Sequence, residues 1–141
     1  FPPCGLATLA AFLIEQAAEA GLRSVFVGFE TFSPQNLRQS NKKQNMAKDY
    51  SAAVNRLHSL GIMINGSFVF GLDDDDKDVF RRTVEWGIDH AVTTATYHIL
   101  TPYPGTRLFG KMEDEGRIQS CNWDLYDTRH VVYQPNKLTA I

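Results

Sequence analysis

Three short runs constrain this chain more than any other feature: Ser24–Glu30 (SVFVGFE), Met63–Phe70 (MINGSFVF) and Ala95–Leu100 (ATYHIL). The first is β-branched and aromatic with no polar alternate until its end, which predicts a strand buried on both faces. Between the runs the period changes. Leu6, Leu9, Ala10, Leu13, Ala17 and Ala20 recur at helical spacing up to Gly21, and Tyr50, Ala53, Val54, Leu57 and Leu60 form a second stripe closed by Gly61. Asp73–Asp76 offers caps and negative charge to a third helix carrying Val79, Phe80, Thr83, Val84 and Ile88 inward. Thr106 caps a last helix that runs through Leu108, Phe109 and Met112 to Gly116. Ser33-Pro34 predicts a further helix or tight turn, with the polar stretch Gln35–Lys48 at the surface.

Strands spaced by roughly the length of a βαβ unit predict an α/β fold with a parallel sheet. Right-handed crossovers then bring all strand C-termini to one edge, so the loops after Glu30, Gly71 and Leu100 should converge there. The chain reads as one domain over 1–141, with βα units to about residue 116 and a covering tail over 117–141, where Val131–Tyr133 is strand-like.

Composition removes several function classes. Fourteen Lys and Arg against sixteen Asp and Glu give a net charge of -2, so no nucleic-acid partner is expected on bulk charge. The longest apolar stretch, Leu6–Ala20, is interrupted by Glu15, Gln16 and Glu19, so no membrane segment is expected. With no secretory pattern at the start, the expectation is a cytoplasmic protein. Cys4 and Cys121 form neither a disulfide framework nor a pair at metal-ligand spacing, and His58, His90 and His130 have no companions, so no metal site is predicted.

Three rim segments carry a resemblance: VFVGFET (Val25–Thr31), NGSFVFGLDDDD (Asn65–Asp76) and ILTPYPGTRLF (Ile99–Phe109). Together with NKKQN, EGRI and WDLYDTRHVVYQP, in that order, they make the chain resemble the second half of the barrel of radical S-adenosylmethionine enzymes, particularly the B12-associated branch. The resemblance implies a partial TIM-like barrel, a fragment of a (β/α)6 barrel, with S-adenosylmethionine lying across the strand C-termini. In such enzymes a residue ending the fourth strand meets the methionine amino group or the ribose, which here is Glu30, with Gly28 and Thr31 beside it. A G-x-I-x-G-x-x-E pattern of the fifth strand falls on Ser67, Val69, Gly71 and Asp74, so only its second glycine is retained. The sixth strand packs against adenine, which corresponds to Ile99, Leu100, Thr101 and Pro102. The family's CxxxCxxC loop, which holds a [4Fe-4S] cluster, has no counterpart in this sequence. The resemblance therefore implies a piece that begins after the third strand and is inactive alone, with the cluster, and a possible cobalamin, belonging to the complete parent. The parent reaction implied is reductive cleavage of S-adenosylmethionine to a radical, followed by hydrogen abstraction or cobalamin-assisted methyl transfer on a small-molecule substrate.

Several residues keep a second reading. Glu30 is equally a solvated strand end or a capping partner, and Gly28 and Gly71 are equally sites of close packing. Asp73–Asp76 suits a divalent cation in residue type, but consecutive residues on a turn do not converge on one ion, which favours capping. His98, by alternation with Thr96 and Leu100, either faces the barrel interior or is a core histidine bonded to backbone. A non-catalytic half barrel that forms a homodimer through open sheet edges is the alternative to the enzyme fragment. An aldolase-like barrel is disfavoured by the lack of a strand-end lysine.

Overall fold

In the computed structural model, residues 6–31 and 47–138 are described, with side chains over 12–31 and 50–138. Ser33-Pro34, the NKKQN segment and Cys4 lie outside the described residues. The elements run α1 (Leu6–Glu19), β1 (Ser24–Glu30), α2 (Ala47–Ser59), β2 (Met63–Phe70), α3 (Val79–Asp89), β3 (Thr94–Ile99) and α4 (Arg107–Asp114). A short 3-10 turn, Trp123–Leu125, follows. The three strands form an open sheet in the order β1-β2-β3, and both pairings are parallel. The architecture is therefore α/β and compatible with part of a (β/α) barrel.

Apolar packing occupies one face of the sheet. Ile64 and Phe68 of β2 and Phe29 of β1 are buried with Tyr50, Val54 and Leu57 of α2 and with Ala18 of α1. Phe29 sits at the centre of an aromatic cluster, 5.6 Å from the Phe68 ring, 5.2 Å from Tyr50 and 4.9 Å from Trp86. Gly66 lies on this same face, where a Cβ would stand 3.1 Å from both Phe68 and Val92 and 3.2 Å from Phe29. The missing side chain is what lets those groups close over the middle strand.

Two expectations change. β1 is covered on one side only: Phe26 is 66% exposed, as is much of Met63 at the start of β2. Among the described residues, helices pack against a single face of the sheet. On α3, Val79 and Thr83 turn inward while Phe80, Val84 and Ile88 are exposed. The helix begins at Val79 instead of directly after the acidic run, and its phase puts Trp86, seven residues on, against the core. β3 also runs one residue earlier than the pattern suggests, although the Leu100 amide still donates to the Phe70 carbonyl at 2.8 Å.

A second core lies beyond the sheet. Met112, Tyr126, Val132 and Tyr133 are buried together, with Leu100 and Leu108 packed against them. The segment after α4 returns through an antiparallel bridge between Ile118 and Tyr133. The Ile99 amide donates to the Thr128 carbonyl at 2.7 Å, so this segment also meets the outer edge of β3. Among the described residues, no helix is long and apolar enough to cross a membrane.

The Gly66 contacts set a stability prediction. Gly66→Ala adds a methyl group against three packed side chains and should destabilise the chain by about 1–3 kcal/mol. Urea unfolding followed by circular dichroism measures it. A variant as stable as the parent would mean that the middle strand has slack that these distances deny.

Candidate functional site at the strand ends

Parallel pairing builds the site. In register, Gly28 of β1 lies beside Ser67 of β2, and Ser67 beside Thr96 of β3. One step nearer the rim, Val69 pairs with His98. By alternation these residues occupy the face opposite Ile64 and Phe68, which no helix among the described residues covers. Small and polar groups share it with Val69 and, farther from the rim, with Phe26 and Met63. Asn65 belongs to it too, and its Oδ1 is buried without a hydrogen-bond partner among the described residues.

The first rim loop is the most unusual. Pairing shifts between Gly28 and Glu30, and Glu30 takes φ = 61°, a left-handed conformation that a non-glycine residue seldom adopts. The Thr31 amide then folds back onto the Phe29 carbonyl at 2.8 Å, and Thr31 is buried. As a result, Glu30 Oε1 lies 3.9 Å from where a Cβ on Gly28 would stand. A carboxylate is thereby held over bare backbone at the strand end.

The second rim loop is tied internally. Gly71 has φ = 98°, and a side chain there would collide with the Tyr133 hydroxyl, which donates to the Gly71 carbonyl. Burial pushes the Tyr133 phenol well above its ordinary pKa, so it stays a donor at neutral pH. Asp75, 1% exposed, accepts from the amides of Gly71 and Leu72 at 2.9 and 3.0 Å. Its neighbours point elsewhere. Asp73 meets Lys111 and Arg117, each at 2.9 Å, and Asp74 meets Lys137 at 3.0 Å. Asp76 accepts from Arg82 at 2.8 Å and from the Asp78 amide at 3.1 Å. The four carboxylates thus fasten one loop to several partners and do not cap α3, whose N-cap Asp78 makes no side-chain capping bond. No group of three metal-ligating side chains occurs among the described residues.

The third rim segment is enclosed. The Thr101 hydroxyl donates to the Ile99 carbonyl at 3.1 Å and Thr101 is buried, while Leu100 packs into the second core. Gly28, Glu30, Ser67 and Val69 therefore share the open face with Thr31 behind them. Gly71, Ile99 and Leu100 are instead bound to the segment after α4, and Thr101 is buried against the Ile99 carbonyl. Sequence reasoning placed Asp75 in a helix-capping run and Tyr133 in a strand-like part of the covering tail, and missed that both hold the second rim loop. The signal for Asp75 was an acid four residues beyond a strand-end glycine, the reach of a side chain that caps its own turn. Nothing local marked the reach of Tyr133 back to Gly71.

A hollow of about 610 Å³ lies at the opposite end of the sheet, lined by Glu15, Glu19, Arg23 and Arg56. Its charges are paired at home: Arg56 meets Glu15, and Arg23 donates to the carbonyls of Ala18 and Leu22. The rim has the chemistry that the hollow lacks.

Known proteins share sequence with the chain. The chain is 37% identical, over 88% of its length, to a bacteriochlorophyllide d C-12(1)-methyltransferase of Chlorobaculum tepidum, of which it covers 27%. It is 27% identical over 75% of its length to a hopanoid C-2 methylase of Rhodopseudomonas palustris, covering 20% of that protein. It is 25% identical over 90% of its length to an anaerobic magnesium-protoporphyrin IX monomethyl ester cyclase of Cereibacter sphaeroides, again covering 20%. The chain thus spans about a quarter or less of the length of these curated relatives. No protein-family model matches it.

The ion pairs of Asp73 give a pH prediction. Burial raises the Asp73 pKa, but hydrogen bonds and charge from Lys111 and Arg117 outweigh it and hold the group below the usual carboxylate value of 3.8. A depressed folded pKa means stability that is complete above the unfolded pKa and is lost as pH falls through the folded one. Asp73→Asn should therefore cost about 2 kcal/mol at pH 7, because Arg117 is left buried with a weaker partner. The gap between variant and parent should close below pH 3.8. Denaturation curves across pH 2–7 measure both, and a gap that does not depend on pH would contradict the assignment.

Proposed function

We propose that the chain is the C-terminal part of a radical S-adenosylmethionine catalytic domain, supplying half of the cofactor site and part of the substrate cavity. The observation that carries this reading is Glu30: a carboxylate on a left-handed strand end, lying over Gly28, at the edge where parallel α/β sheets bind ligands. A carboxylate there suits the cationic amino group or the ribose hydroxyls of S-adenosylmethionine. The bare backbone of Gly28 gives a ligand room to lie against β1, and Ser67 and Val69 extend that surface onto β2. Thr31 holds the turn from behind. Gly71, positioned through its amide by Asp75 and through its carbonyl by Tyr133, keeps the second loop clear of the open face. Ile99, Leu100 and Thr101 form the far margin.

S-adenosylmethionine, when bound, supplies the radical or the methyl group; the residues of this chain bind and orient it. A [4Fe-4S] cluster does not fit here. It needs three thiolates, the sequence contains two cysteines, and Cys121 is exposed and stands alone among the described residues. Any cluster, and any cobalamin, belongs to the rest of the proposed parent.

The names of the relatives support a cyclic tetrapyrrole as substrate, since two of the three act on bacteriochlorophyllide or magnesium-protoporphyrin. A polycyclic hydrocarbon is the second reading, favoured by the hopanoid methylase alone. β1 is an edge strand among the described residues, and with Phe26 exposed this also supports pairing with a second copy.

The test is Glu30→Gln, which keeps the shape and removes the charge. A charged hydrogen bond contributes about 1.5–3 kcal/mol, so calorimetric titration of the intact protein with S-adenosylmethionine should show roughly tenfold to hundredfold weaker binding. Thermal unfolding should hardly move. Unchanged affinity would return Glu30 to a solvated strand end.

A further inference from the structure

The open face holds one imidazole, that of His98. On β3 it is paired in register with Val69, and its Nδ1 lies 3.1 Å from the Thr128 hydroxyl. Thr128 is itself held: its carbonyl accepts the Ile99 amide at 2.7 Å, and its backbone is left-handed at φ = 66°. The ring is thus oriented by a fixed neighbour on the outer side of the sheet. With the proton on Nδ1 donated to Thr128 Oγ1, Nε2 carries the lone pair that can coordinate a metal. A histidine that ligates a metal shows this arrangement, one ring nitrogen held by an outer partner and the other free to coordinate.

What surrounds it is suited to a flat ligand. Ser67 and Thr96, the residues next to Val69 and His98 along the same face, are shorter than the imidazole, so His98 stands above its neighbours. The far side of the face is apolar, with Phe26 66% and Met63 50% exposed. Neighbouring strands lie about 4.8 Å apart, so a planar ligand centred over β3 reaches β2 and approaches β1. It would then border Gly28 and Glu30, where the cofactor is proposed to lie.

We propose that His98 is the axial ligand to the central metal of a metallated tetrapyrrole substrate, positioned for that role by Thr128. The proposal rests on the tetrapyrrole reading given above and deepens it. The step is a coordinate bond from the Nε2 lone pair to the metal, with no change in oxidation state. It distinguishes a metal-bearing macrocycle from a hydrocarbon, which offers His98 nothing to coordinate.

The test titrates the chain with magnesium protoporphyrin IX and, separately, with metal-free protoporphyrin IX, following the Soret band. The metallated porphyrin should bind more tightly and show the band shift of axial imidazole ligation. His98→Gln should weaken its binding about a hundredfold and abolish the shift, free imidazole should restore the shift, and metal-free binding should be unchanged. Thr128→Val, which keeps the branched shape and removes the hydroxyl, should weaken metallated binding about tenfold, the lower end of what loss of an outer partner costs. If both porphyrins bind equally and His98→Gln changes neither, His98 is not the ligand while the tetrapyrrole reading stands. If neither porphyrin binds the parent chain, the tetrapyrrole reading fails and this inference with it.

Discussion

The parallel pairing of β2 with both of its neighbours is the constraint on which everything else rests. It aligns three strand ends at one rim, and it divides the side chains into a face packed under helices and a face left open. The packed face is anchored by Phe29, Phe68 and Trp86 closing over Gly66. Without a Cβ at that position the rings reach one another, and among the described residues helices hold the sheet from this side. The open face is a consequence of that arrangement. It carries Gly28, Ser67, Thr96 and His98 near the rim and the exposed Phe26 and Met63 farther back.

The rim loops differ in how they are held. The end of β1 turns through the bulge and the left-handed Glu30, with the Tyr50 hydroxyl donating to the Phe29 carbonyl. Such a conformation persists where the surroundings over-determine it, and Phe29 and Thr31, buried on either side of Glu30, provide that. The β2 loop is held from outside. Tyr133 takes its carbonyl, Asp75 its amides, and Arg117, Lys111 and Lys137 take the acids that follow. Arg117 also stacks over the Tyr133 ring at 5.7 Å, so the same few side chains fasten the second core to the rim.

The sequence made the strands and helices legible because their signals are local: β-branched runs, helical spacing, and glycines at helix ends. It also made the rim legible, since parallel strands leave no choice about where their C-termini meet. The side of α3 that faces inward was not legible. Its phase depends on the helix starting at Val79, which depends in turn on Asp75 and Asp76 spending their oxygens on backbone amides before it. The division of the acidic run was equally hidden, because Lys111 and Lys137 approach it from 38 and 63 residues away. Ile99, Leu100 and Thr101 were assigned to the base-binding margin by resemblance, and their enclosure by the segment after α4 depends on Thr128 and the second core, which no local pattern in the strand announces.

The central claim is that the open rim formed by β1 and β2 is where S-adenosylmethionine binds. The most direct measurement is amide chemical-shift mapping of the chain during titration with S-adenosylmethionine. The account predicts the largest movements at Gly28, Glu30, Thr31, Ser67 and Val69, smaller ones at Gly71 and Thr101, and none around Arg23 and Arg56 at the opposite end of the sheet. Movements confined to Arg23, Arg56 and Gly61, or none at saturating ligand, would contradict it.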